Sequence, residues 1–419
     1  MDKYKNIKVA ILGYGVEGQD AEAFLKKAGA EVSVLDQKFD PEYLNKLQTF
    51  DVVVRSPGVY RFKLEIVEAE ESGVIITSAI KIFFENCPAK IIGVTGTKGK
   101  GTTSTLIYDI LKAGGHKVFL AGNIGKPYLE LLPMLTKNDY VILEMSSFQL
   151  IDLDISPHIA VVLNITLDHM DWHKDREEYV NAKKNIVLHQ TKDDYAVINE
   201  EYDTPKSFAK NLNSKVRFFS KKTLDQKFKQ EILLRGEHNL ENIAAAVAVG
   251  KIVGVPEGII EKTVKNFKGL EHRLEMVAEV SGRTFYNDSF STGPQPAIAA
   301  IESFTEPETI ILGGSDKGLD YTELGKVISE KENVKNVILI GLIGPKIGDA
   351  ILKAGYKGNI ENLGSPGVEE IVKKSYEITP EGGVIILSPA AASFDMFKNY
   401  KDRGLQFKEA VLNLSKSSP

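Results

Sequence analysis

The chain has 419 residues, 43% hydrophobic and 26% charged, with a net charge of −5 and one cysteine. Its length exceeds a single hydrophobic core and predicts two or three domains, while no apolar run approaches the ~20 residues that span a bilayer. Mild acidity without a basic block speaks against nucleic acid as a partner, and the lone Cys87 excludes an intramolecular disulfide framework and suits a reducing cytosol.

The amino terminus, "MDKYKNIKVAILGYG", enters a strand directly and lacks a signal-peptide profile, so a cytoplasmic enzyme or binding protein is expected. Short β-rich runs then alternate with helical ones, the pattern of parallel sheets covered by helices. The first series comprises "KVAILG", "EVSVLD", "DVVVRSPG" and "VIITS" and ends near "ENCPAK", around residue 88. It contains "GYGVEG", Gly13 to Gly18, and Asp36 closes its next strand. Such glycines let a backbone approach a pyrophosphate at a helix N-terminus. Alone the motif is weak: it could hold NAD, another nucleotide, or only make a tight turn, and a nucleotide is favoured.

The second series runs through "KIIGVTG", "HKVFLAG", "YVILEMSS" and "IAVVLNI", then two helices before "KGLEHR". Its first strand leads into "GVTGTKGKGTTS", Gly93 to Ser104, followed by an amphipathic run. Strand, glycine-rich loop and helix are the context in which a loop wraps a phosphate. The spacing is unusual, because Val94 to Lys98 separate Gly93 from Gly99-Lys100. Gly101 also replaces the usual magnesium-ligating hydroxyl, so Thr102, Thr103 or water must supply it. ATP is favoured over a bland turn with a solvated lysine, which would leave the strand-loop-helix context unexplained. Glu144 ends a strand, and Asp168 and His169 follow the next one. Singly these read as caps or structural groups; Glu144 and His169 together make a Mg²⁺ set, although histidine is unusual for so hard an ion. Lys183, in "EYVNAKKNI", lies on a predicted helix, where a solvated face is the commoner role.

A hairpin follows, "LEMVAEV" and "RTFYNDS" around Ser281-Gly282, and then a third series, "TIILGG", "NVILIG" and "GVIILSP". Polar clusters recur at strand ends and helix starts: His238, Asn239 and Asn242; His272 and Arg273; Asp288; Lys317; and Ser388 to Gly404. Separately each could be a cap or a turn. Boundaries near 88 and 270 predict three α/β domains, 1–88, 89–270 and 271–419.

Taken in this order, from "GYGVEG" to "KDRGLQF", the motifs resemble the Mur ligase family of peptidoglycan synthesis, in its MurD-type, glutamate-adding branch. The family's ATP loop reads G-x-x-G-T-N-G-K-S/T-T, so the long spacing is its own; Lys98 and Gly101 depart from it. The resemblance implies a Rossmann-like UDP-binding domain, a P-loop-type ATPase domain and a Rossmann-like C-terminal domain. It implies that Thr97, Lys98, Gly99, Lys100, Gly101, Thr102 and Thr103 cradle the ATP phosphates, with Lys100 on the γ-phosphate, and that Asn242, Arg273 and Asp288 also contact ATP. Glu144 and His169 match the magnesium ligands, with Thr102 as a substitute hydroxyl. Lys183 matches a lysine that CO₂ converts to a carbamate, an anion that also helps hold Mg²⁺. Lys100, Lys183 and His169 would thus carry catalysis. Val16, Glu17, Asp36, Lys38, Ser56, Pro57, Gly58, Asn123, Ser146 and Gln149 match positions that bind the UDP-sugar, so NAD is not implied. Thr292, Lys317, Ser393, Phe394 and Tyr400 match the glutamate pocket, where a cation and hydroxyls suit a dicarboxylate.

The implied reaction makes an amide from a carboxylate through an acyl phosphate, with ATP and Mg²⁺ as cofactors, small molecules as substrates, no membrane insertion and a monomeric enzyme. Phe290 stands where lysine is common in this branch, and an L-glutamate-adding subgroup is similarly uncharged there; D-glutamate is favoured and the handedness is left open. Three other readings compete. An NAD-dependent oxidoreductase explains "GYGVEG" but leaves Lys100, Glu144 and His169 idle. A nucleotide sensor needs neither Lys183 nor the glutamate pocket. A folylpolyglutamate-type ligase leaves "GYGVEG" unexplained.

Overall fold

The computed structural model describes residues 2–417 apart from 124, 126, 167 and 169. It is an α/β structure of three sheets, and the strands are parallel except for one antiparallel edge pair. The first sheet contains β1 (Lys8–Leu12), β2 (Glu31–Leu35), β3 (Val52–Arg55) and β4 (Ile75–Ser78), in the order β2-β1-β3-β4. Short β-branched runs such as "VVVR", buried throughout, favour strands covered on both faces. The chain reverses its winding between β1 and β3, and the loop Gly13–Gly15 opens at that point. In such sheets the crevice for a ligand lies where the winding reverses.

The central sheet contains β5 (Lys90–Thr95), β6 (Val118–Gly122), β7 (Tyr140–Glu144), β8 (Ile159–Val162), β9 (Tyr195–Asn199) and β10 (Lys215–Phe219). Its order is β10-β9-β8-β5-β7-β6, which sets β5 between β8 and β7. The third contains β11 (Glu275–Val280), β12 (Arg283–Asn287), β13 (Glu308–Gly313), β14 (Val334–Ile340), β15 (Asn359–Gly364) and β16 (Val384–Leu387), in the order β11-β12-β16-β13-β14-β15. The antiparallel pair is β11 and β12, joined at Ser281-Gly282, the hairpin that the sequence predicts.

The chain divides into two compact units, residues 1–230 with 240–264, and residues 231–239 with 265–419. The first unit holds the first two sheets. They share one core, in which Val9 and Phe83 join Tyr128, Leu143 and Ile186. Polar groups also cross this junction. Arg55, fully buried, donates to both carboxylate oxygens of Asp152 (3.1 Å each), to the carbonyl of Phe148 (2.9 Å) and to those of Ser56 and Val59 (3.1 and 2.7 Å). A buried guanidinium is tolerable only when its donors are met in this way. No helix among the described residues is long and apolar enough to cross a membrane.

In the second unit β13 is buried from end to end and leads into Gly313 and Gly314, whose φ values are 127° and 145°. A Cβ at Gly313 would overlap the Ile340 carbonyl oxygen, and one at Gly314 that of Ala392. Gly313→Ala is therefore expected to destabilise this unit by at least ~2 kcal/mol. Urea unfolding followed by circular dichroism would show a lower midpoint; an unchanged midpoint would mean that the turn relaxes at no cost.

Candidate active site

The loop after β5 is shaped by two glycines. Gly96 (φ 154°) passes so close to Leu163 that a side chain would collide. Gly99 (φ 86°) caps the helix Lys100–Ala113 and faces the Asn242 carboxamide, leaving no room for a Cβ. The loop is tied to the segment after β8: Thr97 N–H donates to the Asn164 carbonyl (2.7 Å) and Lys98 N–H to the Asn164 side chain (3.0 Å). Thr97 Oγ1 accepts from Thr166 N–H and lies 2.9 Å from the Tyr179 hydroxyl. Thr103 Oγ1 donates to Asn242 Oδ1 at 3.2 Å, which ties the helix His238–Val253 to the turn that follows the loop. Thr102 and Thr103 are buried in the first helical turn. Gly101 is helical and is not among the left-handed glycines, so its backbone does not require glycine.

The two lysines converge. Lys100 Nζ donates to the carbonyls of Gly96 and Thr97, both at 3.1 Å, and Lys183 Nζ donates to the same Gly96 carbonyl at 2.9 Å. Lys183 is 2% exposed, with its amine 4.8 Å from the centroid of the Tyr179 ring. The sequence pattern favours a solvated helical face there; the structure puts the residue inside. Burial lowers its pKa well below that of a free lysine, and Lys100 adds to the effect, against opposition from Asp168 and Glu144. Its helix, Arg176–Leu188, begins at Asp175, whose carboxylate accepts from Glu178 N–H. Tyr179 and Lys183 are four residues apart and share a face.

Glu144 ends β7 and is 8% exposed; its carbonyl accepts from Asn123 N–H at 3.2 Å. Asp168 is exposed, and His169 lies outside the described residues. Four residues further on, buried His173 meets the Ser147 hydroxyl (2.8 Å) and Glu178 (3.0 Å).

The positions expected to hold the UDP-sugar lie in the same unit. Val16 is 70% exposed at the start of the helix Val16–Lys27. Asp36 accepts from the backbone N–H of Tyr14 (2.6 Å) and Lys38 (2.9 Å), which lowers its pKa. Ser56 donates to the Gly13 carbonyl, and Pro57 and Gly58 continue that turn. Glu17 is turned inward: it accepts from the Tyr128 hydroxyl and from Gln149 Nε2 (2.6 Å), and its pKa is raised chiefly by burial. Ser146 and Gln149 cap each other at the helix Ser147–Leu150. Tyr128 and Arg55 were missed as candidates. Nothing in "GKPYLELLP" marks Tyr128, whereas the spacing in "EYVNAK" could have revealed Tyr179.

The second unit carries Arg273, Asp288 and the five glutamate-pocket positions. Asp288, 3% exposed, accepts from Ser388 (2.7 Å), Ser291 and Leu274 N–H (3.1 Å); burial nevertheless pushes its carboxyl up to about 6. Thr292 is half-buried and Lys317 exposed, in the loops after β12 and β13. Ser393 is buried, Phe394 is 71% exposed, and the Tyr400 carbonyl accepts from Ser289. Buried Arg403, another unanticipated residue, donates to the carbonyls of Ser289 and Ala391, and desolvation lowers its pKa to about 10. Glu271, His272 and Glu275 cluster as a metal site would, but Lys408 already bridges the two carboxylates at 2.9 and 2.5 Å.

Residues 94–231 match the family model of the Mur ligase middle domain. The UDP-N-acetylmuramoylalanine–D-glutamate ligase of Acetivibrio thermocellus is 40% identical over 98% of this chain and 97% of its own. The enzymes of that name from Ruminiclostridium cellulolyticum and Clostridium tetani are each 36% identical over the same shares. Among solved structures, MurC from Thermotoga maritima aligns with a TM-score of 0.60, at 16% identity, over 97% of this chain and 100% of its own. MurF from the same organism, in complex with ADP, gives 0.57 at 17% identity over 100% and 97%. The structural likenesses concern fold alone, but near-complete relatives at 36–40% identity decide the matter of kinship: the chain belongs to the Mur ligase family.

Proposed function

We propose that this Mur ligase joins D-glutamate to UDP-N-acetylmuramoyl-L-alanine at the expense of ATP, with magnesium, in the synthesis of peptidoglycan precursors. It would act as a cytoplasmic monomer of three domains bounded near residues 88 and 270. The names of the full-length relatives support the substrates, and ATP and a UDP-sugar point to the cytoplasm. The observation that carries the chemistry is Lys183, a buried amine on the Gly96 carbonyl of the phosphate loop, beside Lys100.

Burial favours the neutral form of Lys183, whose nitrogen lone pair can attack CO₂. With loss of one proton the product is a carbamate anion. Glu144, His169, the carbamate and Thr102 are the groups that would hold magnesium. When bound, the ion supplies positive charge to phosphoryl and carboxylate oxygens. A buried carboxylate at the end of β7 and an amine that can become anionic suit that cation.

In the reaction the alanine carboxylate attacks the γ-phosphorus and ADP leaves. The glutamate amine then attacks the acyl carbon, loses a proton, and the tetrahedral intermediate expels phosphate. Lys100 would neutralise charge on the transferring phosphoryl, with the amides of Thr97 to Thr103 holding its oxygens. Asn242, Arg273 and Asp288 would orient ATP; Val16, Asp36, Lys38, Ser56 to Gly58, Asn123, Ser146 and Gln149 would hold the UDP-sugar. Glu17 is read as bracing that surface from behind. Lys317 would pair with a glutamate carboxylate, beside Thr292, Ser393, Phe394 and Tyr400.

Phosphate release with UDP-N-acetylmuramoyl-L-alanine, ATP and either glutamate enantiomer tests the reading. D-glutamate should support turnover on the order of a hundredfold faster than L-glutamate. A preference for L-glutamate would reassign the substrate, and glutamate-independent release would remove the ligase reading.

Lys183→Ala should lose roughly 10²-fold or more in kcat, with partial recovery in acetate. Full activity of the folded variant would return Lys183 to a structural role. Because Gly101 is helical, Gly101→Ser is expected to shift the magnesium titration of activity toward lower metal concentration. Coincident titration curves would show that the missing hydroxyl has no consequence.

A further inference from the structure

Arg273 sits at the top of a strained arch. His272 and Leu274, on either side, both have left-handed backbones, with φ values of 64° and 43°. Residues with a Cβ adopt that region only when their surroundings over-determine it. Here they do: His272 N–H donates to Glu275 (2.9 Å), Leu274 N–H to Asp288 (3.1 Å), and Asn287 Nδ2 to His272 Nδ1 (2.9 Å). The backbone of Arg273 is thus fixed, while its side chain is exposed. The guanidinium lies over the ring of Phe290, 4.6 Å from the centroid.

Phe290 is 43% exposed, so filling the core does not account for its position. Its N–H donates to the His272 carbonyl at 2.9 Å, which fastens the ring to the arch. It also meets the Tyr400 ring nearly edge-on, with centroids 5.2 Å apart and an interplanar angle of 87°. One aromatic side chain therefore touches both the expected nucleotide cation and a residue of the expected glutamate pocket.

We propose that Phe290 is a positioning residue that aims Arg273 at the nucleotide and couples it to Tyr400 in the glutamate pocket. The inference rests on the reading of those two residues given above. A ring face attracts a guanidinium through its quadrupole, and a T-shaped neighbour restricts the ring to the orientation that presents this face. Ordering of Tyr400 by glutamate then orders Arg273 through Phe290. By linkage, ATP and glutamate each favour the binding of the other.

The test compares the full-length enzyme with F290L, F290Y, F290W, R273A and the double variant F290L/R273A. Binding constants for ATP and for glutamate are measured, each with and without the other ligand, together with steady-state KM, kcat and Tm. Leucine keeps apolar bulk but has no π face, so F290L should weaken ATP about fivefold and abolish the mutual effect of the two ligands. The KM for the UDP-substrate should stay unchanged, and F290Y and F290W should restore wild-type behaviour. In the R273A background F290L should have no further effect on ATP. If F290L binds ATP as the wild type does while R273A binds it poorly, the inference is overturned and the reading of Arg273 stands. The inference also fails if F290Y and F290W are as impaired as F290L, or if F290L and R273A act additively. If R273A itself leaves ATP binding unchanged, the nucleotide reading of Arg273 falls, and the coupling with it.

Discussion

The carbonyl of Gly96 accepts from two lysines, Lys100 and Lys183, and the glycine-rich loop after β5 is arranged around that contact. A carbonyl can take both because it has two lone pairs and because Gly96 follows a path closed to a residue with a side chain. Lys183 is driven inward by its helix, which buries Tyr179, Ala182, Ile186 and Val187 along with it. Desolvation and the neighbouring Lys100 charge both oppose protonation there. One carbonyl offsets only part of the cost of burying a full cation, so these surroundings favour the neutral amine. The same packing sets this buried amine on the loop after β5, beside Lys100.

Around that centre the first unit uses buried polar groups to fasten two sheets into one surface. Arg55 joins the loop after β3 to the helix Ser147–Leu150 and Asp152, and Glu17 joins the first glycine loop to Tyr128 and Gln149. Asp20 adds two more ties, accepting from the N–H groups of Leu129 and Glu130. Apolar side chains of the right volume would bury as much area. Forked hydrogen bonds, unlike apolar contacts, are directional, and they specify a single register between the two sheets.

The second unit follows the same logic at its strand ends. Asp288 stays buried with a carboxyl raised to about 6, and Arg403 stays buried without a carboxylate within bonding distance among the described residues. Each costs stability relative to an apolar substitute. The apolar packing around β13, β14 and β16 supports them, and Asp288 also holds the strained backbone at Leu274, while Glu275 and Asn287 hold His272.

Most of the architecture could be read along the chain, because it is local. Val52 to Val54 and Ile310 to Leu312 are unbroken apolar runs, and glycines mark the turns that follow "KVAIL" and "KIIGVT". Those signals need only a window of residues, and they yielded the parallel α/β class, the hairpin at Ser281-Gly282 and the strand, glycine-rich loop and helix around Gly96. Motif order gave the family in the same way. What no window contains is burial and pairing across the chain. Lys183 looks like any helical lysine until the helix is docked on β5. Glu17 looks like a ligand-facing acid until Tyr128, 111 residues away, claims its carboxylate. Phe290 looks like an interruption of a polar stretch until Arg273 and Tyr400 close on its ring. Charge state, hydrogen-bond partners and ring contacts depend on distances between residues remote in sequence, and only the folded chain sets those distances.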